Sequence, residues 1–97
     1  SNIKYKSYRD DQWIYSNIDI YNYMCINENY PHASYERFLM IDKLYEDNKN
    51  FYAAYELATL YHYGATLSTG KTTLKIEPNF KKASAYYNLV LEKDAEC

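Results

Sequence analysis

"FYAAYELATLYHYG", residues 51–64, is the stretch that decides the fold of this chain. Apolar side chains recur in it at spacings of three and four, the period of one face of an α-helix. Four residues carry this stripe: Ala54, Leu57, Ala58 and Tyr61. The stripe stops at Gly64, a residue type common just after a helix because it tolerates positive φ. We therefore predict a helix over residues 51–63 with one face of small and aromatic side chains.

Three more helices are predicted around this one. Apolar residues recur with the same period over residues 11–27, 33–46 and 79–93. Polar or proline-containing breakers separate the segments, and Pro78 suits the start of the last helix because its φ is already helical. A chain of 97 residues is long enough for one small core. The expected fold is a single all-α domain over residues 1–97, with about four antiparallel helices as two helical hairpins.

The segment GATLSTGKTT, residues 64–73, contains a Gly-Lys-Thr tripeptide that suggests a phosphate-binding loop. Such a loop has two glycines separated by four residues, follows a strand and opens a helix. Here five residues separate Gly64 from Gly70, a predicted helix precedes the segment, and Pro78 follows too closely for a full helix after Lys71. The alternation of residue types after the turn favours a short hairpin-like insertion over residues 65–77. A nucleotide-binding enzyme using this tripeptide is a less favoured hypothesis.

Acidic residues dominate the middle of the chain. The whole chain has a net charge of −2, but from Asp10 to Glu56 nine acids face three bases, a net charge of −6. This distribution argues against nucleic acid as the partner and allows a basic protein. No apolar run approaches the length that crosses a bilayer, so we expect no membrane insertion. The two cysteines, Cys25 and Cys97, suggest no disulfide framework, and we expect a cytoplasmic protein.

The sequence has no residue pattern typical of a catalytic or metal site. His32 lies in a breaker segment, and His62 has no histidine, cysteine or carboxylate three or four residues away. Cys25 lies on an apolar helical stripe and is better explained as a small core residue than as a nucleophile. Adjacent acids such as Asp10 and Asp11 suit helix capping. We expect no enzyme, no cofactor and no metal.

Tyrosine is the compositional signature of the chain, with 14 tyrosines in 97 residues. Its ring buries well while its hydroxyl tolerates water, so it serves both core packing and binding surfaces. Both uses remain open for the tyrosines that four helical stripes cannot bury. The candidate partner contacts are aromatic or acidic: Trp13, Tyr15, Asp19, Tyr23, Tyr52, Tyr55, Glu56 and Tyr63.

The two predicted helices on either side of the insertion also share a motif. The first has alanine, leucine with a small residue, tyrosine and glycine in order, and the second has lysine-alanine followed by two tyrosines. The positions are Ala53, Leu57, Ala58, Tyr61 and Gly64, then Asn79, Lys82, Ala83, Tyr86 and Tyr87. In this order and spacing, residues 51–92 resemble the Sel-one-like repeat, a branch of the tetratricopeptide superfamily of paired antiparallel helices. The segment between Gly64 and Asn79 is longer than in that family, as an insertion would be.

The resemblance implies a non-catalytic protein-binding module that uses the surface of the first helix of each pair. Because about three repeats are needed for a stable array, a chain with two hairpins would cap itself, pair with a copy of itself or bind a partner. The favoured hypothesis is a helical-repeat module that binds another protein through a tyrosine-rich, acidic face. The alternative is a stand-alone inhibitor, such as the immunity partner of a basic nuclease toxin, which its acidic segment would occlude.

Overall fold

The computed structural model describes the backbone of residues 10–95 and the side chains of residues 18–93. In this part of the chain there are four helices and one two-stranded antiparallel sheet. The elements are α1 (Asp10–Asn29), α2 (Tyr35–Asn48), α3 (Phe51–Tyr63), β1 (Ala65–Thr69), β2 (Thr72–Ile76) and α4 (Phe80–Ala95). The prediction of a mostly helical fold with four helices is confirmed, and the two strands lie within the predicted insertion over residues 65–77.

The bounds of α2 lie two residues further along the chain than predicted, because capping groups set them. Ser34 precedes the helix, and its hydroxyl accepts a hydrogen bond from the backbone N–H of Arg37 at 3.0 Å. Lys49 ends the helix in the left-handed region, with φ of 52°, and its N–H donates to the carbonyl of Tyr45 at 2.7 Å. Both groups satisfy backbone atoms that a helix leaves unpaired at its ends.

Helix α3 is held at both of its ends. The side-chain oxygen of Asn50 accepts hydrogen bonds from the N–H groups of Tyr52 and Ala53, at 2.9 and 3.0 Å. At the other end Gly64 has φ of 74°, and its N–H donates to the carbonyl of Leu60. A Cβ at this glycine would lie 2.9 Å from the carbonyl oxygen of Ile76, so the position also needs glycine for space.

The predicted insertion is a β-hairpin with a two-residue turn. Thr69 pairs with Thr72 across Gly70 and Lys71, and the register continues to Ala65 opposite Ile76. Gly70 has φ of 59°, and among the described non-glycine residues only Lys49 has positive φ, so the turn has the φ pattern of type II′. Leu67 points into the protein and is buried.

Helix α3 contacts each of the other three helices and forms the centre of the core. On one side it faces α1 and α2. On the other it faces α4, whose start is tied to α3 by a hydrogen bond from the N–H of Asn79 to the carbonyl of Tyr61. The buried core residues are Ile26, Ile41, Tyr45, Ala53, Ala54, Leu57, Ala58 and Tyr86.

Candidate functional site

The structure separates the predicted partner contacts into two groups on different sides of α3. Tyr23, Tyr52 and Glu56 come together between α1, α2 and α3. Tyr55 and Tyr63 lie on the other side of α3, and Tyr55 is beside a ring of α4. The side chains of Trp13 and Tyr15 lie outside the described residues. Asp19 is half-buried on α1, beside the first turn of α3.

The first group surrounds a buried arginine. Only 1% of Arg37 is exposed, and its guanidinium binds both carboxylate oxygens of Glu56, with two N–O distances of 2.6 Å. The same guanidinium donates to the carbonyl of Tyr30 at 3.1 Å and lies 3.4 Å from the hydroxyl of Tyr23. Tyr23 in turn donates to Glu56 at 2.8 Å and stacks on Tyr52. We call Arg37, Glu56, Tyr23 and Tyr30 the arginine network.

The electrostatics of the arginine network hold three helices together. Burial, followed by the hydrogen bond to Glu56, raises the pKa of Tyr23 to about 12, so this hydroxyl stays protonated as a donor at neutral pH. The hydrogen bond to Glu56 raises the pKa of Arg37. Both oxygens of Glu56 already have partners inside the protein. The carboxylate of Glu56 therefore joins helices inside the fold and is not a free carboxylate on the surface.

Asp19 belongs to the same side of the molecule. The side-chain nitrogen of Asn50 donates to the backbone carbonyl of Asp19 at 3.1 Å, which links α1 to the start of α3. Burial raises the pKa of the Asp19 carboxyl, and the positive charge of Lys93 acts in the opposite direction.

The second group belongs to a connected set of aromatic rings on α3 and α4, in which Tyr55, Tyr63 and Phe80 are exposed and His62 and Tyr87 are half-buried. His62 stacks on Tyr63 with ring centroids 4.1 Å apart and meets Phe80 and Tyr87 edge-on at 6.1 and 5.7 Å. Tyr55 meets Tyr87 edge-on at 6.3 Å. Tyr63 is 73% exposed and Phe80 is 71% exposed. We call Tyr55, His62, Tyr63, Phe80 and Tyr87 the aromatic surface.

An open pocket of about 250 Å³ lies within the aromatic surface. It is lined by His62, Phe80, Ala83, Ser84 and Tyr87, mainly through apolar atoms. The Nδ1 atom of His62 and the hydroxyl of Tyr87 share a hydrogen bond of 3.1 Å. Burial, with smaller contributions from Tyr63 and Tyr55, raises the pKa of Tyr87, so its hydroxyl is neutral at physiological pH. The pocket is suited to holding an apolar group.

The aromatic surface combines aromatic rings with one hydrogen-bonded pair of polar side chains, His62 and Tyr87. His62 is the only histidine in the pocket, and its hydrogen-bonding partner is a neutral phenol. Among the described side chains, no three His, Cys, Asp or Glu residues lie close enough together to hold a metal ion. Gly70 and Lys71, the centre of the suspected phosphate loop, form the turn of the hairpin, and no helix begins at Lys71.

Several residues at these sites were missed by sequence reasoning. Arg37 was included only among the three bases of the acidic segment, although it stands four residues before Ile41 and eight before Tyr45, the other buried residues of α2. That spacing was a usable signal for burial. Phe80 and Tyr87 were assigned to the packing stripe of the last helix. The seven-residue spacing places them on one face, but only the packing of α4 on α3 brings that face beside His62.

The comparisons with known proteins add no relative from which a function could be carried over. No family model, no curated protein and no solved structure matches the chain. None of the helices in the described part of the chain combines the length and the apolar character that a membrane span requires.

Proposed function

We propose that this chain is a non-catalytic protein-binding module whose aromatic surface receives an apolar anchor side chain from a partner protein. The observation that carries the proposal is the exposure of Tyr63 and Phe80 beside the pocket, at 73% and 71%. Connected, exposed aromatic rings of this kind mark interaction sites on soluble proteins. Tyrosine is also enriched among the residues that contribute most binding energy at interfaces.

The size of the pocket supports a protein partner over a small-molecule ligand. Sites that enclose a small molecule or cofactor are commonly about 300–1,000 Å³, and this pocket, at about 250 Å³, lies below that range. It is open and its walls are the rings of His62, Phe80 and Tyr87. A pocket of this size and openness fits one side chain inserted from a partner protein, with the exposed rings packed around it.

We also propose that α3 and α4 form one repeat of the Sel-one-like kind. The late residue Tyr61 of α3 meets the start of α4 at Asn79, and the early residue Tyr55 meets Tyr87 further along α4, as in an antiparallel pair. Buried Ala58 and Ala83 allow close approach of the two helices. In this reading α3 is the first helix of the pair, and it supplies Tyr55, His62 and Tyr63 to the surface.

The proposal is tested by affinity capture from a lysate of the source cells with three baits. The first is the wild-type chain, and the second carries Tyr63→Ser and Phe80→Ala. The third is a matched control with Tyr21→Ser and Leu39→Ala, because these residues are exposed on α1 and α2. We expect one partner with the first and third baits and at least about tenfold less with the second. Equal recovery by all three baits would contradict the proposal.

The inhibitor alternative depends on exposed acids of α1 and α2. Glu28, Glu36 and Glu46 are exposed there, whereas Glu56 is taken up by Arg37. An inhibitor of a basic enzyme would bind through these acids, and its association would weaken as salt rises. Capture that is lost with Glu36→Lys and Glu46→Lys, disappears at high salt, and survives Tyr63→Ser with Phe80→Ala would favour this alternative.

A further inference from the structure

The outer edge of strand β2, on the side away from β1, is a second surface of the molecule, separate from the aromatic surface. In an antiparallel pair the residues alternate, so that every second residue points its N–H and C=O away from its partner strand. Thr69 and Thr72 flank the two-residue turn as a hydrogen-bonded pair, which makes Ser68 opposite Thr73 and Thr66 opposite Lys75 the outward-pointing positions. The backbone groups of Thr73 and Lys75 therefore face away from β1.

The two edges of the hairpin differ in how they are covered. On the β1 edge the N–H of Ser68 donates to the carbonyl of Ala33 at 2.7 Å, and Ser34 forms a bridge with Ser68. This contact confirms that Ser68 points outward. On the β2 edge, among the described residues, no hydrogen bond reaches the outward backbone groups of Thr73 or Lys75. An uncovered strand edge is a ready template for another strand.

The sequence of β2 is complementary to itself when two copies meet antiparallel about Leu74. In that register Thr73 of one copy faces Lys75 of the other, and these are the outward-pointing residues that must pair. One position beyond the ends of β2, Glu77 of each copy would approach the turn residue Lys71 of the other, while also lying 3.6 Å from Lys75 of its own chain. No lysine directly faces another lysine.

The register also covers an exposed leucine. Leu74 is 40% exposed, although Leu67 opposite it on β1 is buried. At the two-fold axis the two Leu74 side chains would lie side by side as a non-hydrogen-bonded pair, the closer type of cross-strand neighbour. Four backbone hydrogen bonds, two ion pairs and one leucine contact would result.

We propose that two copies of this chain associate through β2, antiparallel and centred on Leu74, to form a four-stranded sheet. We infer that the partner strand is β2 of a second copy, because one register pairs the outward backbone groups, brings opposite charges together and covers Leu74. The contact is small and belongs to the weak, transient class of interfaces. Its residues are separate from the aromatic surface, so the two surfaces can be tested independently.

The first test is site-specific disulfide formation in a chain with Cys25→Ser and Cys97→Ser. Leu74→Cys places two thiols at a non-hydrogen-bonded pair with Cα atoms about 4.5 Å apart, within the range a disulfide spans. The control is Thr66→Cys, an exposed residue of the hairpin on the covered strand. We expect a covalent dimer with Leu74→Cys several times faster than with Thr66→Cys under mild oxidation. Equal rates would overturn the proposal.

The second test exchanges the charges and measures association by sedimentation between about 10 μM and 1 mM protein, the range of weak complexes. Glu77→Lys alone and Lys71→Glu alone should each weaken association by roughly tenfold, since attraction becomes repulsion at two places. Combining the two substitutions should restore it. Circular dichroism establishes that each variant is folded. A wild-type chain that stays monomeric to 1 mM, or a double variant that remains as weak as the single ones, would overturn the register.

Discussion

Helix α3 meets its neighbours in two different ways. Towards α1 and α2 the contact contains a buried arginine, Arg37, whose charge is balanced by Glu56 and which also donates to Tyr30 and Tyr23. Towards α4 the contact consists of small and aromatic side chains, with Tyr61 stacked on Tyr86. The first contact depends on every polar partner being present, whereas the second depends on shape.

The difference shows where a binding surface can form. The residues of the arginine network between α1, α2 and α3 bind one another, so this side of α3 holds the fold together. The side facing α4 contains no buried ion pair among the described residues, and its outer rings extend into solvent at Tyr63 and Phe80. A contact held by packing can therefore present aromatic side chains outward without leaving a buried charge unpaired.

The largest expected effect comes from removing the carboxylate of the arginine network. Glu56→Ala leaves the guanidinium of Arg37 buried without its counter-charge, and breaking a buried ion pair in this way costs about 3–5 kcal/mol. Denaturant unfolding measures the loss. Glu46→Ala, at an exposed position of α2, is the control and should change stability by less than about 0.5 kcal/mol. A loss below about 1 kcal/mol for Glu56→Ala would remove the contrast between the two contacts.

The next effect is an alkaline dependence that both contacts share. Burial raises the pKa of Tyr86 to about 12, as it does for Tyr23. Each folded tyrosine keeps its proton longer than the unfolded one, so its stabilisation is complete below pH 10 and is lost as pH rises through about 12. The loss per tyrosine is at most about 2–3 kcal/mol, because water reaching the rings screens part of it.

This dependence is measured as the free energy of unfolding between pH 9 and 12 in Tyr23→Phe and Tyr86→Phe. Each variant should flatten the decline relative to wild type, whatever its stability at neutral pH. An unchanged slope in both variants would show that neither ring is held as described.

A smaller effect is expected from enlarging an alanine in the packed core. Ala58 has no exposed surface, so Ala58→Leu has no room and should cost about 1–3 kcal/mol. Ala85→Leu, at an exposed position of α4, is the matched control and should be nearly neutral. Thermal unfolding of the two variants compares them directly. Similar melting temperatures for both would mean that shape does not limit the packing around Ala58.

The smallest effect concerns Asn50, where α1 meets the start of α3. Asn50→Ala removes the cap of α3, which is worth about 0.5–2 kcal/mol, and leaves the carbonyl of Asp19 without its donor. Asn48→Ala, at the exposed end of α2, provides the comparison. Denaturant unfolding should separate the two variants, and equal stability would argue that neither the cap nor the bond to Asp19 stabilises the fold.

The helices and the hairpin were accessible from sequence because local rules set them. Gly64 marks the end of α3, and the stripe of Ala54, Leu57 and Ala58 identifies a buried face without any knowledge of what covers it. The hairpin followed from turn chemistry around Gly70. In each case the deciding residues lie within one or two turns of one another.

The arginine network and the aromatic surface depend on distant residues, which a single sequence does not reveal. Arg37 is buried only because Glu56, nineteen residues away, supplies its counter-charge. Because arginine is normally exposed, the residue type alone would predict a surface position for Arg37. His62 and Tyr87 share a hydrogen bond across twenty-five residues, and no spacing rule connects them. The sequence identified a group of tyrosines as candidate partner contacts. Which of them are internal and which are exposed depends on how α3 packs against the other helices.

The central claim, that the aromatic surface binds a protein partner, is tested most directly by photo-crosslinking in lysate of the source cells. A benzophenone side chain replaces Tyr63 in one chain and Tyr21, which is 66% exposed on α1, in another. We expect a discrete crosslinked partner from position 63 that is lost when Phe80→Ala is added, and none from position 21. No adduct at position 63, or the same adduct from both positions, would contradict the proposed function.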